Sequence, residues 1–167
     1  GLGSGGGESR WIFNFYEMPQ SATGLHGSEL LPLRPQKSNC MKVSGFTFIR
    51  NAEIYDYPVV EAIRSILPVC DEFVVAVGNS DDATLDLIAA IDPLKIRIIQ
   101  TIWDDSLREG GRVLAVETDK AFQAISHDSD WAFYIQGDEV MHEKYLERVR
   151  NAMLKWKDHK EVDGLLF

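Results

Sequence analysis

Basic residues are in short supply. Lys and Arg number 17 against 26 Asp and Glu, leaving a net charge of -9 at neutral pH. General nucleic-acid binding needs a basic footprint, so no nucleic-acid partner is expected. A single nucleotide held through a metal ion stays compatible with an acidic chain. Long apolar runs are also missing: none approaches the roughly 18 residues of a membrane span. The N-terminus has no basic segment followed by an apolar stretch, so no secretory signal is read. Cysteine is scarce, and Cys40 and Cys70 lack metal-ligand spacing. Reduced thiols in a cytoplasmic protein are the simplest reading. What is present is ordinary for one globular domain: 167 residues, 45% of them hydrophobic, enough to bury a core.

The first 40 residues differ from the rest. Gly1 to Gly7 read as a flexible linker, of vector origin or otherwise. Pro19, Pro32 and Pro35 break any regular element in the stretch that follows. Residues 1–40 are therefore expected to be an extended or poorly ordered leader. The aromatic cluster Trp11-Ile12-Phe13-Asn14-Phe15-Tyr16 is the exception, since it could pair as an edge strand or pack on a neighbour.

From Met41 the pattern alternates. Val43 to Ile49 reads as a strand, and Tyr57, Val60, Ile63, Ile66 and Leu67 follow at helical spacing, with Pro58 at the start and Pro68 at the stop. Glu72 to Val77 is the second strand, Leu85 to Ile91 a short helix, and Lys95 to Ile102 the third strand. Arg112 to Ile125 reads as a helix with Val113, Val116, Phe122 and Ile125 available for burial. Trp131 to Ile135 is an apolar, aromatic run of the kind found in a buried central strand. Leu146, Val149, Met153 and Trp156 give a last helix one apolar face, and a fifth strand opens near Val162. Repeated βαβ units predict an α/β fold over residues 41–167, a mainly parallel sheet with helices on both faces. The last strand is cut at Phe167, so the fold is expected to be truncated after about five strands. The apolar edge left there would invite self-association into a homo-oligomer.

In such a sheet, ligands bind outside the carboxyl ends of the strands. That edge is expected to collect Arg50, Asn51, Glu53, Gly78, Asn79, Ser80, Asp104 and Asp138. The central strand ends at Gln136-Gly137 and delivers Asp138 and Glu139 side by side. Two carboxylates there can hold a hard cation, which can in turn clamp a diphosphate. Blander readings stand beside these. The acidic turn can serve the dipole of the following helix, and Asp82 can cap a helix. Arg50 and Glu53 can pair on the surface. Asp104 and Asp105 read as a solvated turn, and His142 as a surface residue.

Three segments together resemble the family 2 glycosyltransferases of the GT-A, Rossmann-like fold. They are Phe48-Ile49-Arg50-Asn51-Ala52-Glu53 with the helix that follows, Val77-Gly78-Asn79-Ser80-Asp81-Asp82-Ala83-Thr84, and Gln136-Gly137-Asp138-Glu139. Their order and strand-end placement span about 41–167. The resemblance implies a nucleotide-sugar site formed by Arg50, Asn51, Glu53, Asn79, Ser80, Asp82, Arg112, Gln136 and Asp138. It implies Mg²⁺ or Mn²⁺ at Asp138 with Glu139, and a UDP- or GDP-linked sugar passed to an unknown acceptor. Gln136 stands where the family has the first Asp of its metal motif. Val77-Gly78-Asn79 stands where it has a carboxylate for the base, leaving Asn79 as substitute. The family's general base and most of its acceptor site lie in sequence beyond the fifth strand, so the chain reads as the donor-binding half. A non-catalytic interaction or assembly module derived from that fold is the alternative. A nucleotidyltransferase would call for a glycine-rich loop after the first strand, and Phe48-Ile49-Arg50-Asn51 has no glycine. A phosphorelay receiver would call for an acidic pair at the same place.

Overall fold

The structure, a computed structural model, describes residues 10–13, 41–107 and 111–166. Six strands form one sheet: β1 (Arg10–Phe13), β2 (Val43–Ile49), β3 (Glu72–Gly78), β4 (Ile96–Thr101), β5 (Trp131–Tyr134) and β6 (Gly164–Leu166). Their order across the sheet is β4-β3-β2-β5-β1-β6, and every pairing is parallel. The fold is therefore a parallel α/β sheet. β2 and β3 are buried nearly throughout, as continuous apolar strands covered on both faces must be. β4 alternates between half-buried and exposed positions, as befits an edge.

Among the described residues four helices cover the sheet: α1 (Val59–Ile66), α2 (Thr84–Ala89), α3 (Arg112–Gln123) and α4 (Leu146–Trp156). α1 buries Val59, Ala62, Ile63 and Ile66, the 3.6-residue stripe of an amphipathic helix. Each branched side chain so buried contributes about 1.5–3 kcal/mol. Val59, Ile63 and Ile66 join Ile88 of α2 and Val149 and Met153 of α4 in a core with Val75, Val77 and Phe133. Among the described residues α3 covers the other face, where Ala121 meets Phe46, Val74, Ala76 and Ala132. Trp131 Nε1 donates to the Met153 carbonyl at 3.2 Å, tying α4 to β5. Among the described residues no helix is long and apolar enough to cross a membrane.

Three expectations change. Residues 10–13, read as part of a leader that could add an edge strand, form an interior strand between β5 and β6. The remaining residues of 1–40 lie outside the described residues. Tyr57, assigned to the core stripe of the first helix, precedes α1 and is exposed, because Val59 and Ala62 complete the stripe instead. In α3 the buried positions are Val113, Glu117 and Ala121, while Val116 is exposed. Spacings of three and of four residues both suit a helix, and the helix takes the four-residue row.

Candidate functional site

The strand order contains one reversal. From β2 the chain moves to β3 and β4 on one side, whereas β5 lies on the other side of β2. Loops leaving β2 and β5 thus diverge and open a crevice at their carboxyl ends, where ligands of open parallel sheets bind. A cleft of about 390 Å³ opens there, with Phe48 to Asn51 from the end of β2 and Gln136 to Asp138 from the end of β5 in its walls. Trp103 and Asp105 beyond β4, Val113 and Leu114 of α3, and Tyr55 and Tyr57 complete it.

Arg50 is held from three directions. Its Nε donates to the Asn79 carbonyl at 3.0 Å, and its Nη1 lies 3.3 Å from Asp105 Oδ1. Its guanidinium also sits 5.7 Å from the centre of the Trp103 ring. Trp103 packs on Phe48 with ring centres 5.9 Å apart. That placement needs glycine at 78, because a Cβ there would overlap the Trp103 ring. Trp103 Nε1 is buried and has no hydrogen-bond partner among the described residues. Asp104, next along, accepts from the Ser106 hydroxyl and amide, which hold its carboxyl below the usual range.

The loops after β2 and β3 are bonded to each other. The buried Asn51 donates from its amide to Ser80 Oγ at 3.0 Å and accepts from the Asp81 amide at 2.8 Å. The Ala52 amide donates to Thr84 Oγ1 at 2.7 Å. Asp82 Oδ2 accepts from the amides of Glu53 and Ile54, both at 3.0 Å, and Oδ1 accepts from Thr84. Burial pushes the Asp82 carboxyl up, but these donors outweigh it and leave the group below its ordinary value. Glu53 Oε2 accepts from the Ala83 amide at 3.1 Å. Both residues with positive φ other than glycine, Asn51 at 54° and Asp56 at 53°, lie in the first of these loops. Such strain persists only where the surroundings over-determine the backbone.

The turn after β5 is closed on itself. Glu139 Oε2 accepts from the Gln136 amide at 3.1 Å, and the Glu139 amide donates to the Gln136 carbonyl at 3.2 Å. Gly137 lets this turn approach β2, since a Cβ would stand 2.9 Å from Ile49 Cδ1. Asp138 is exposed, borders the cleft, and makes no side-chain hydrogen bond or ion pair among the described residues. No group of three or more His, Cys, Asp or Glu gathers as a metal site among the described residues.

Of the residues expected at the site, the cleft brings together Arg50, Asn51, Gln136 and Asp138. Glu53, Ser80 and Asp82 bond within the loops behind it. Asn79 is exposed beside it, accepting from Arg50 through its carbonyl and from the Trp103 amide through Oδ1. Arg112 is exposed on the first turn of α3, next to the cleft-lining Val113. Glu139 is taken up by its own turn. Sequence reasoning missed Tyr55, Tyr57 and Trp103, and read Asp105 as a solvated turn, whereas it pairs with Arg50. The available signal was the aromatic density near strand exits. Comparison with known proteins finds no family model that matches the chain and no curated protein similar to it.

Proposed function

We propose that this chain binds a nucleoside diphosphate sugar in the switch-point cleft. It would serve as the donor-binding part of an inverting, metal-dependent glycosyltransferase of the GT-A type. The observation that carries the reading is the cleft's position between the ends of β2 and β5, with Asp138 at its edge and without a side-chain partner among the described residues. Negative charge develops on the diphosphate as the glycosidic bond breaks. Asp138 would hold a Mg²⁺ or Mn²⁺ together with that diphosphate, and the ion supplies positive charge to the leaving group. Arg112, exposed on the first turn of α3, is a cation available to phosphate oxygens, for which a guanidinium fork is well shaped. Trp103 and Phe48, their ring planes tilted 57° to each other, offer apolar ring surface on which a base can pack. Arg50, already paired with Asp105, keeps that surface in place more than it neutralises a ligand.

Calorimetric titration of UDP and GDP, with and without Mn²⁺, tests the reading. Binding is expected to require the metal, and Asp138→Ala should weaken the metal-dependent part by about tenfold or more, ~1.4 kcal/mol. Affinity indifferent to both metal and Asp138 would remove the nucleotide site.

A further inference from the structure

The mouth of the cleft carries two aromatic rings that the fold does not use. Tyr55 and Tyr57 are 62% and 43% exposed, and their ring centres stand 5.9 Å apart. Neither hydroxyl has a hydrogen-bond partner among the described residues. Water-exposed aromatics on a loose loop would be unremarkable, but this loop is fixed. The Tyr55 amide donates to the Asn51 carbonyl at 3.1 Å and the Tyr57 amide to the Ala52 carbonyl at 2.9 Å. Asp82 holds the backbone just before Tyr55 through the Glu53 and Ile54 amides. The loop thus presents two rings in a set geometry, at the expense of two left-handed residues. A preformed surface of this kind binds without a large ordering cost.

Charge selects the occupant. Of the residues around the cleft, Arg50, Asp105 and Asp138 are charged, and Arg50 and Asp105 cancel as a pair. One carboxylate is left over in a chain of net charge -9. Arg112 beside the cleft offsets that carboxylate, so the mouth carries no net charge that would draw a free anion. A neutral ring with an apolar face and hydroxyls at its edge suits both the aromatic faces and the polar groups beside them, the Gln136 amide and the Asp138 carboxylate. Exposure distinguishes which ring it is. A group stacked on Tyr55 and Tyr57 keeps one side in water, so a larger molecule can continue outward from it.

From these features we infer that Tyr55 and Tyr57 form a stacking platform for a neutral pyranose ring of the acceptor, a saccharide. That the ring belongs to the acceptor rests on the glycosyl-transfer reading above. The stacking itself does not, and needs neither nucleotide nor metal.

Saturation-transfer NMR on the full chain, with lactose, maltose, cellobiose and N,N′-diacetylchitobiose as probes, tests the inference. At least one should receive saturation at its ring C–H protons without Mn²⁺ or nucleotide. Tyr55→Ala and Tyr57→Ala should each weaken that binding about three- to tenfold, the scale of one aromatic contact. Tyr57→Phe should retain it, and all three variants should keep the parent's thermal midpoint because the rings are exposed. No transfer to any of the four probes overturns the platform, as does transfer that survives both alanine variants. Displacement of the saccharide by a UDP-sugar, but not by UDP, overturns the acceptor assignment by giving the ring to the donor. The nucleotide titration described above fails or succeeds separately from all of these outcomes.

Discussion

Asp82 bonds with both carboxylate oxygens to its own chain, holding the Glu53 and Ile54 amides with one and Thr84 with the other. A residue that resembles a ribose ligand in sequence is, in the fold, the strap across two loops. Its removal strands two amide donors and loosens the segment that carries Tyr55 and Tyr57. Asp82→Ala is expected to lower stability by about 1–3 kcal/mol, the usual effect of deleting an acceptor of charge-assisted hydrogen bonds. It should also weaken any ligand that touches Tyr55. Urea denaturation and the titrations above read the two effects separately. A variant as stable as the parent would show that the remaining bonds of Asn51 and Ala52 hold the loop alone. Asp138, more exposed than Asp82, has no partner among the described residues, a difference that residue type cannot convey.

At the scale of the element, α3 has the most informative departure from its sequence pattern. Val113 is buried as expected, but the row continues through Glu117 and Ala121, and Val116 faces outward. Glu117 is fully buried, with Oε1 2.6 Å from Lys120 Nζ and Oε2 lacking a hydrogen-bond partner among the described residues. Apolar periodicity cannot find such a residue, because it weighs a carboxylate against burial. The Lys120 side chain is 38% exposed and stays hydrated without its partner. Replacing the buried carboxylate by an apolar side chain of similar length should then be neutral or stabilising, by up to about 2 kcal/mol. Glu117→Met is expected to keep or raise the thermal midpoint. A marked drop would reveal a contact for Oε2 that holds α3 on the sheet.

At the scale of the molecule the two edges of the sheet contrast. At the amino-terminal edge, polar groups are fastened together. Glu72 Oε1 accepts from Ser44 Oγ and from the Ser126 amide, both at 2.6 Å, and Arg97 lies 3.6 Å from Oε2. Asp71 and Asp130 accept from the amides of Val43 and Lys42. Burial pushes the Glu72 carboxyl up, but the Ser44 and Ser126 donors outweigh it and lower it below its ordinary value. A group lowered on folding contributes stability that is present above its unfolded value, about 4.3, and is lost as pH falls through the folded value. Glu72→Gln should therefore flatten the acid limb of the stability curve below about pH 4.3, seen in urea midpoints measured against pH. An unchanged acid limb would assign that sensitivity to other carboxylates.

The carboxyl edge is left open, and this is why part of the site was legible. A parallel sheet sends all its strand exits to one edge, so Arg50, Asn51, Gln136 and Asp138 fall together once the strands are recognised. Strand recognition itself was straightforward, since β2, β3 and β5 are apolar runs between turn signals. Tyr57 was absorbed into a helix stripe because its spacing fits one. The pairing of Arg50 with Asp105 joins distant segments, and nothing in either segment alone announces it.

The place of β1 has a consequence for how the sheet assembles. β2, β3 and β4 follow one another in the chain and lie side by side, so each pairing closes over a short connection. β1 pairs with β5 and β6, and in the register Arg10 meets Trp131 and Trp11 meets Gly164. Those ladders join the beginning of the chain to segments made near its end, across a far larger loop. Closing such loops demands more entropy before any contact compensates it, and it slows folding. One half of the sheet can therefore form during synthesis, while the other waits for late-arriving strands to capture an early one. The boundary between the two halves runs between β2 and β5, the line along which the cleft opens, so the cleft is also the seam at which the sheet is completed.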